Sequence, residues 1–205
     1  MPKKIGLILS LLLLMSPTCI DAKKTTFPGV FLIDNFENRD LKKWWAFGDM
    51  SPNLVQNKPG EFPDIGSFAL QLRGATVGGI GTLLNVPGDK YNMIKLAVRG
   101  NGPDSGYLAF ELFVGDPKTG LIKQNPNNPG YLSMGTKYVY TLKINWNGWR
   151  TVIIPTDRFR GEGGHRNEIL RLGGKEKWVQ LQLIGTPDSN HPLMLGIDTI
   201  RLFSK

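Results

Sequence analysis

Seven side chains combine hydrogen-bonding reach or a ring face with positions on alternating stretches: Arg73, Arg99, Tyr107, Glu111, Trp178, Gln180 and Gln182. Phe68, Leu70 and Leu72 oppose Ala69, Gln71 and Arg73, and Ile94, Leu96 and Val98 oppose Lys95, Ala97 and Arg99. Leu108, Phe110, Leu112 and Val114 oppose Tyr107, Ala109, Glu111 and Phe113, while Val179, Leu181 and Leu183 oppose Trp178, Gln180, Gln182 and Ile184. A period of two marks a half-buried strand, with one row on a core and the other turned away from it. Amides, carboxylates and guanidinium groups around a flat ring suit a polyhydroxyl molecule: the ring stacks on its apolar face and the polar groups take its hydroxyls. Tyr131 and Trp146, in loops, are placed to cover such a groove. Polar outward rows are also what any solvated sheet presents, and Trp44, Trp45 and Trp149 read as packing residues. Tyr138 and Tyr140 share a row with Leu142 and Ile144, which argues for core.

Covalent chemistry is poorly provided for. The chain has no Gly-x-Ser-x-Gly segment, no HExxH and no phosphate-binding glycine loop leading into a helix. Gly100-x-Gly102 falls in a strand-to-strand turn, the wrong context for a dinucleotide. Glu111 lacks a convincing second acid for glycoside hydrolysis. His165 and His191 have no partner at metal-ligand spacing. A non-enzyme is expected.

The elements that position these residues follow an apolar leader. Lys3 and Lys4 precede the run Ile5–Met15, which Ser16-Pro17-Thr18 ends. That is the pattern of a signal peptide over 1–22, cleaved after Ala22. Cys19 raises a rival reading, a lipid-anchored protein on a membrane, but Ser16-Pro17-Thr18 matches the small residues that precede a lipidated cysteine poorly. Cys19 is the only cysteine, so disulfides do not hold the exported chain together. Burial must do so, and the 183 residues after the leader are enough for one domain. The formal charge is +8, and +7 without residues 1–22. This surplus favours an anionic partner in general, and export argues against nucleic acid.

After a tether over 23–29, a single domain over 30–205 reads as nine or ten short strands with no long amphipathic helix and no repeat. Turn formers over 100–106 join the strands 91–99 and 107–116, which suggests a hairpin with one apolar and one mixed face. Proline, glycine and asparagine make 51–66 and 117–136 irregular, and 160–174 reads as a surface loop. Pro155 to Phe159 suggests a single helical turn. Short strands at intervals with turn signals between them indicate an all-β sandwich or barrel.

Four segments then resemble carbohydrate-binding modules of the galactose-binding-like type, family 11 most closely, with relatives among complex I intermediate-associated proteins. They are Leu32-Ile33-Asp34-Asn35-Phe36-Glu37, the strand Ile94–Arg99 ending in Gly100-Asn101-Gly102, Gly148-Trp149-Arg150-Thr151-Val152-Ile153-Ile154-Pro155 with Phe159, and Gly196-Ile197-Asp198-Thr199-Ile200-Arg201-Leu202. Thr199 stands where the family often has a second acid, and the loops 117–136 and 160–174 are long for it. The resemblance implies a two-sheet jelly-roll β-sandwich. It also implies a structural Ca²⁺ held by Asp34, Glu37 and Asp198, and non-catalytic binding of a polysaccharide or cell-surface glycan by an exported protein. The rival expectation is an envelope structural or assembly protein that uses the same sandwich for protein contacts.

Overall fold

A computed structural model describes residues 29–115, 137–162, 170, 177–188 and 191–204. The expected leader, tether residues 23–28, Cys19, Tyr131 and His165 lie outside the described residues. Twelve strands follow in order: β1 Val30–Asp34, β2 Trp44–Gly48, β3 Ser51–Gln56, β4 Phe68–Gly74, β5 Gly78–Pro87, β6 Met93–Asn101, β7 Gly106–Gly115, β8 Lys137–Ile144, β9 Asn147–Pro155, β10 Arg160–Gly161, β11 Lys177–Thr186 and β12 Leu193–Phe203. The helical turn expected after Pro155 is a 3-10 turn at Thr156–Arg158.

The strands form two antiparallel sheets. A back sheet runs β3-β4-β12-β6-β9, with β1 also on β12, and a front sheet runs β10-β8-β7-β11-β5-β2. The apolar rows read from the sequence meet between them. Leu70, Leu72, Ile94, Leu96, Val98, Ile197 and Leu202 come from the back, and Leu108, Phe110, Leu112, Leu181 and Leu183 from the front, each fully buried. Burial of one such side chain stabilises the fold by about 1.5–3 kcal/mol.

Three expectations about the chain path change, the simplest being that the stretch 160–174, expected to be a surface loop, begins as strand β10 on β8 and buries Leu170 in the core. The stretch 91–116 is not a hairpin: β6 pairs with β9 and β12, while β7 pairs with β8 and β11. Both apolar rows face one core, but from opposite sides, and alternation alone does not name a strand's partner. The chain crosses between sheets at a turn where Gly102 and Gly106 adopt φ of 121° and 93°. A Cβ at Gly106 would stand 2.4 Å from the Thr186 carbonyl oxygen, so the crossing requires glycine there. Ser105 Oγ fastens the turn, accepting from Asn101 N and donating to the Gly102 carbonyl, both at 2.7 Å. The third change is β3, part of the segment expected to be irregular. Its Pro52 is tolerated because β3 is an edge strand, where a missing N–H breaks no ladder.

Residues 57–66 then lie across the outer face of the back sheet. Phe62 and Ile65 pack with Val55 on Ala69, Ala97 and Trp149. Asp64 accepts hydrogen bonds from Thr151 Oγ1 at 2.7 Å and Lys95 Nζ at 3.0 Å. Buried Asp198 accepts from Gly66 N at 3.0 Å and Asn57 Nδ2 at 3.2 Å. The chain itself covers much of the back sheet.

Candidate functional site

The outer face of the front sheet is built in rows that cross the strands. One row, in register from β2 to β10, is Trp45, Gly81, Gln182, Glu111, Val139 and Arg160. Beside it run Phe47, Gly79, Ile184, Ala109 and Thr141 on one side, and Leu83, Gln180, Phe113 and Lys137 on the other. Six strands about 4.8 Å apart make a face roughly 24 Å across.

Glycine shapes its floor. A Cβ on Gly81 would lie 2.4, 2.5 and 2.8 Å from Cζ2, Cε2 and Nε1 of Trp45, so the indole lies directly over the bare Cα. The ring remains 37% exposed, and neighbouring Leu83 is 71% exposed. Ala109 and half-buried Gln182 continue the low floor toward β7. Across it stands a polar wall, where Lys137 Nζ bridges Glu111 at 2.9 Å and Glu162 at 2.5 Å. Burial opposes the charge on Lys137, yet the two carboxylates outweigh it and its pKa is raised. Lys143 reaches Asp188 at 3.4 Å and lies 5.5 Å from the Tyr107 ring centroid. Arg160 donates to the carbonyls of Asp157 and Phe159. Glu111 and Glu162 thus hold Lys137, and Asp188 holds Lys143, while Lys177 of β11 adds a further base on this face. The arrangement offers a flat ring, a shallow trough and committed charges, which suits a neutral, flat, hydroxyl-rich ligand.

Tyr107, Glu111, Gln180 and Gln182 converge here, as their alternation suggested. Glu111 and Gln180 are each 8% exposed, so they support the face more than they offer contacts. Trp178 does not join them. The register of β11 shifts between Trp178 and Gln180, Val179 being the extra residue against β7, so Trp178 sits opposite Val86 and Val114 and is 1% exposed in the core. Arg73 and Arg99 do point outward, but from the back sheet, opposite Met194 and Gly196; Arg99 lies 3.7 Å from Glu61. Trp146 covers no groove: it is buried, with Nε1 donating to the Val98 carbonyl at 3.4 Å. Trp45, the most exposed of the aromatic residues on the face, reads as packing in the sequence alone, within the run Trp44-Trp45-Ala46-Phe47. Alternation with buried Trp44 was the signal that separates the two rings.

The three acids of the expected metal site part company. Asp34 is buried and occupied by donors, Phe36 N at 2.9 Å on Oδ1, and Trp44 Nε1 at 2.7 Å and Lys43 Nζ at 3.0 Å on Oδ2. Glu37 Oε1 accepts from Phe68 N at 2.8 Å and its side chain lies against Gly66, whose N–H serves Asp198. Asp198 also accepts from Thr199 N at 2.6 Å and Thr199 Oγ1 at 3.1 Å. Burial above all, with repulsion from Glu37 adding to it, pushes its pKa up to about 6 against the hydrogen bonds it accepts. Among the described residues no three metal-ligating side chains converge. Glu37 and Asp198 lie together and Asp34 apart from them, and both oxygens of Asp198, like those of Asp34, already accept hydrogen bonds.

The chain matches no protein-family model and no curated protein. Solved structures share its fold. The family 11 carbohydrate-binding module of the cellulosomal cellulase Lic26A-Cel5E of Clostridium thermocellum matches with a TM-score of 0.58 and 16% identity, over 88% of this chain and 97% of that one. A family 11 module from the same organism, in complex with a β-1,3-1,4-mixed-linked tetrasaccharide, matches with a TM-score of 0.57 and 16% identity, over 87% and 98%. An exo-β-agarase structure matches with a TM-score of 0.55 and 12% identity, over 85% of this chain and 25% of that chain. At such identities the likeness establishes the β-sandwich fold and leaves function to the site.

Proposed function

We propose that this is an exported, non-catalytic protein that binds a neutral linear polysaccharide across the strands of the front sheet. The observation that carries this reading is the Trp45 ring over Gly81, in one row with Gln182 and Glu111. An exposed indole gives a sugar ring a flat apolar partner, and the half-buried Gln182 amide beside it takes hydroxyls. That a solved structure of the same fold is a complex with a β-1,3-1,4-mixed-linked tetrasaccharide supports the ligand class. The apolar leader over 1–22 supports export, and the missing catalytic motifs support a binding role. The pairing of Lys137 and Lys143 with carboxylates favours a neutral glycan over an anionic one. We add a structural Ca²⁺ to this reading, held by Glu37 and Asp198 and tying the turn after β1 to β12. Oxygen ligands suit that ion, and the mutual repulsion of the two carboxylates supports a cation beside them.

Isothermal calorimetry with mixed-linked β-glucan, xylan, agarose oligosaccharides and polygalacturonate tests the reading. At least one neutral polymer is expected to bind, and Trp45→Ala should weaken it more than about tenfold, the scale of a binding hot spot. If no polysaccharide binds, and Trp45→Ala instead breaks a protein complex isolated from the cell envelope, the sandwich is an assembly module and the glycan reading falls.

A further inference from the structure

We propose a second ligand site, independent of the front groove, at the end of the sandwich where β6 crosses to β7, shaped for a single neutral sugar ring. A cleft of about 280 Å³ opens there, between the turn carrying Asn101, Pro103 and Asp104 and the approach to β12 carrying His191, Pro192 and Met194. None of these residues belongs to the front-sheet rows described above.

The cleft has a fixed frame. Besides the two hydrogen bonds of Ser105 Oγ, Gly102 N donates to the Trp146 carbonyl at 2.9 Å, which ties the turn to the segment between β8 and β9. Pro103 and Pro192 restrict the backbone on the two sides. Its polar groups are uncommitted: the side chains of Asn101, Asp104 and His191 make no hydrogen bond or ion pair among the described residues. Met194, between fully buried Leu193 and Leu195, is turned outward and 39% exposed.

These features select the ligand chemistry. One carboxylate and one imidazole are too few donors for a divalent cation. Asp104 repels an anion. The Asn101 amide both donates and accepts, the Asp104 carboxylate accepts, and the His191 imidazole offers a nitrogen for either role. Sugar hydroxyls need such mixed partners, and Met194 with the two prolines supplies apolar surface for ring C–H groups. The volume lies just under the roughly 300–1,000 Å³ of sites for drug-sized ligands, which matches one pyranose and not an oligosaccharide. A front groove for a chain and an end cleft for one ring would let the protein hold a glycan at its interior and another at its tip.

The test is amide NMR on the ¹⁵N-labelled chain titrated separately with D-glucose, D-galactose, D-xylose and N-acetylglucosamine. One of these is expected to move the signals of Asn101, Asp104, His191 and Met194 saturably, with millimolar affinity. Asp104→Ala and His191→Ala should each weaken that response about tenfold, the loss of a good hydrogen bond to a charged or polar group. Trp45→Ala should leave it unchanged, which separates this site from the front groove. The variants change exposed side chains, and their amide dispersion reports folding directly. The proposal falls if no sugar gives saturable shifts, if the shifts centre on Trp45 and Gln182, or if they survive both substitutions.

Discussion

Asp64 shows how one side chain holds a whole loop. Its carboxylate joins residues 57–66 to two back-sheet strands through Thr151 and Lys95, and its pKa is lowered, by the Thr151 hydroxyl first, with burial opposing and Lys95 assisting. A depressed carboxylate stabilises the fold fully above the ordinary value of 3.8 and loses that contribution as pH falls through the lower folded value. Asp64→Asn should therefore lower the melting temperature at neutral pH, by the equivalent of about 1 kcal/mol. The gap to the unaltered chain should close as pH drops below 3.8; a gap that persists in acid would show that charge is not what Asp64 contributes. Nothing in the sequence placed Asp64, because its partners lie 31 and 87 residues away and loops carry no period.

Strand faces were legible and strand partners were not. The alternation of Leu108, Phe110 and Leu112 against Tyr107, Ala109 and Glu111 gave the right side for each residue, because a two-residue period is a property of one strand. Sheet membership depends on pairing, which is why Arg73 and Arg99 were placed outward correctly but beside Tyr107 wrongly. The slip at Trp178 has another cause: one extra residue, Val179, reverses the facing of everything before it. Two substitutions test the faces at this scale. Gly81→Ala drives a methyl against the Trp45 indole, 2.4 Å from Cζ2. It should weaken glycan binding more than about tenfold while costing roughly 1–3 kcal/mol of stability through overpacking. Leu108→Ala or Leu181→Ala should cost about 2–5 kcal/mol in chemical denaturation through the cavity it leaves, with glycan affinity unchanged where the domain is folded. Unfolding by Gly81→Ala alongside a tolerant Leu181→Ala would reverse the assigned faces.

Across the whole molecule, charge is distributed unevenly. The chain carries a formal +8, yet Lys137 and Lys143 of the front sheet are paired with Glu111, Glu162 and Asp188, while Arg73 and Arg201 stand on strands of the back sheet. Glycan affinity should then change little with ionic strength, although the Debye length shortens from about 10 Å at 0.1 M to about 3 Å at 1 M. A steep fall with salt would reveal an anionic ligand on a basic surface. The first and last described strands also invite a test, since β1 pairs with β12 and the acids Glu37 and Asp198 flank that seam. Saturating Ca²⁺, at a hundred times its dissociation constant, should add about 2.7 kcal/mol to unfolding stability. Glu37→Gln, which keeps an oxygen for Phe68 N, should remove that response; identical melts with Ca²⁺ and with chelator would remove the ion from the account.

The placement of Trp45 has an optical consequence. The chain has five tryptophans. Trp44, Trp146, Trp149 and Trp178 are exposed by 8% or less, against 37% for Trp45. A collisional quencher such as acrylamide should therefore reach one emitter readily and leave four nearly dark to it, giving a downward-curving Stern–Volmer plot whose accessible fraction disappears in Trp45→Phe. A glycan lying on the front sheet would shield that one ring and straighten the plot toward the buried four. The chain thus carries its own spectroscopic reporter of occupancy, with no label added.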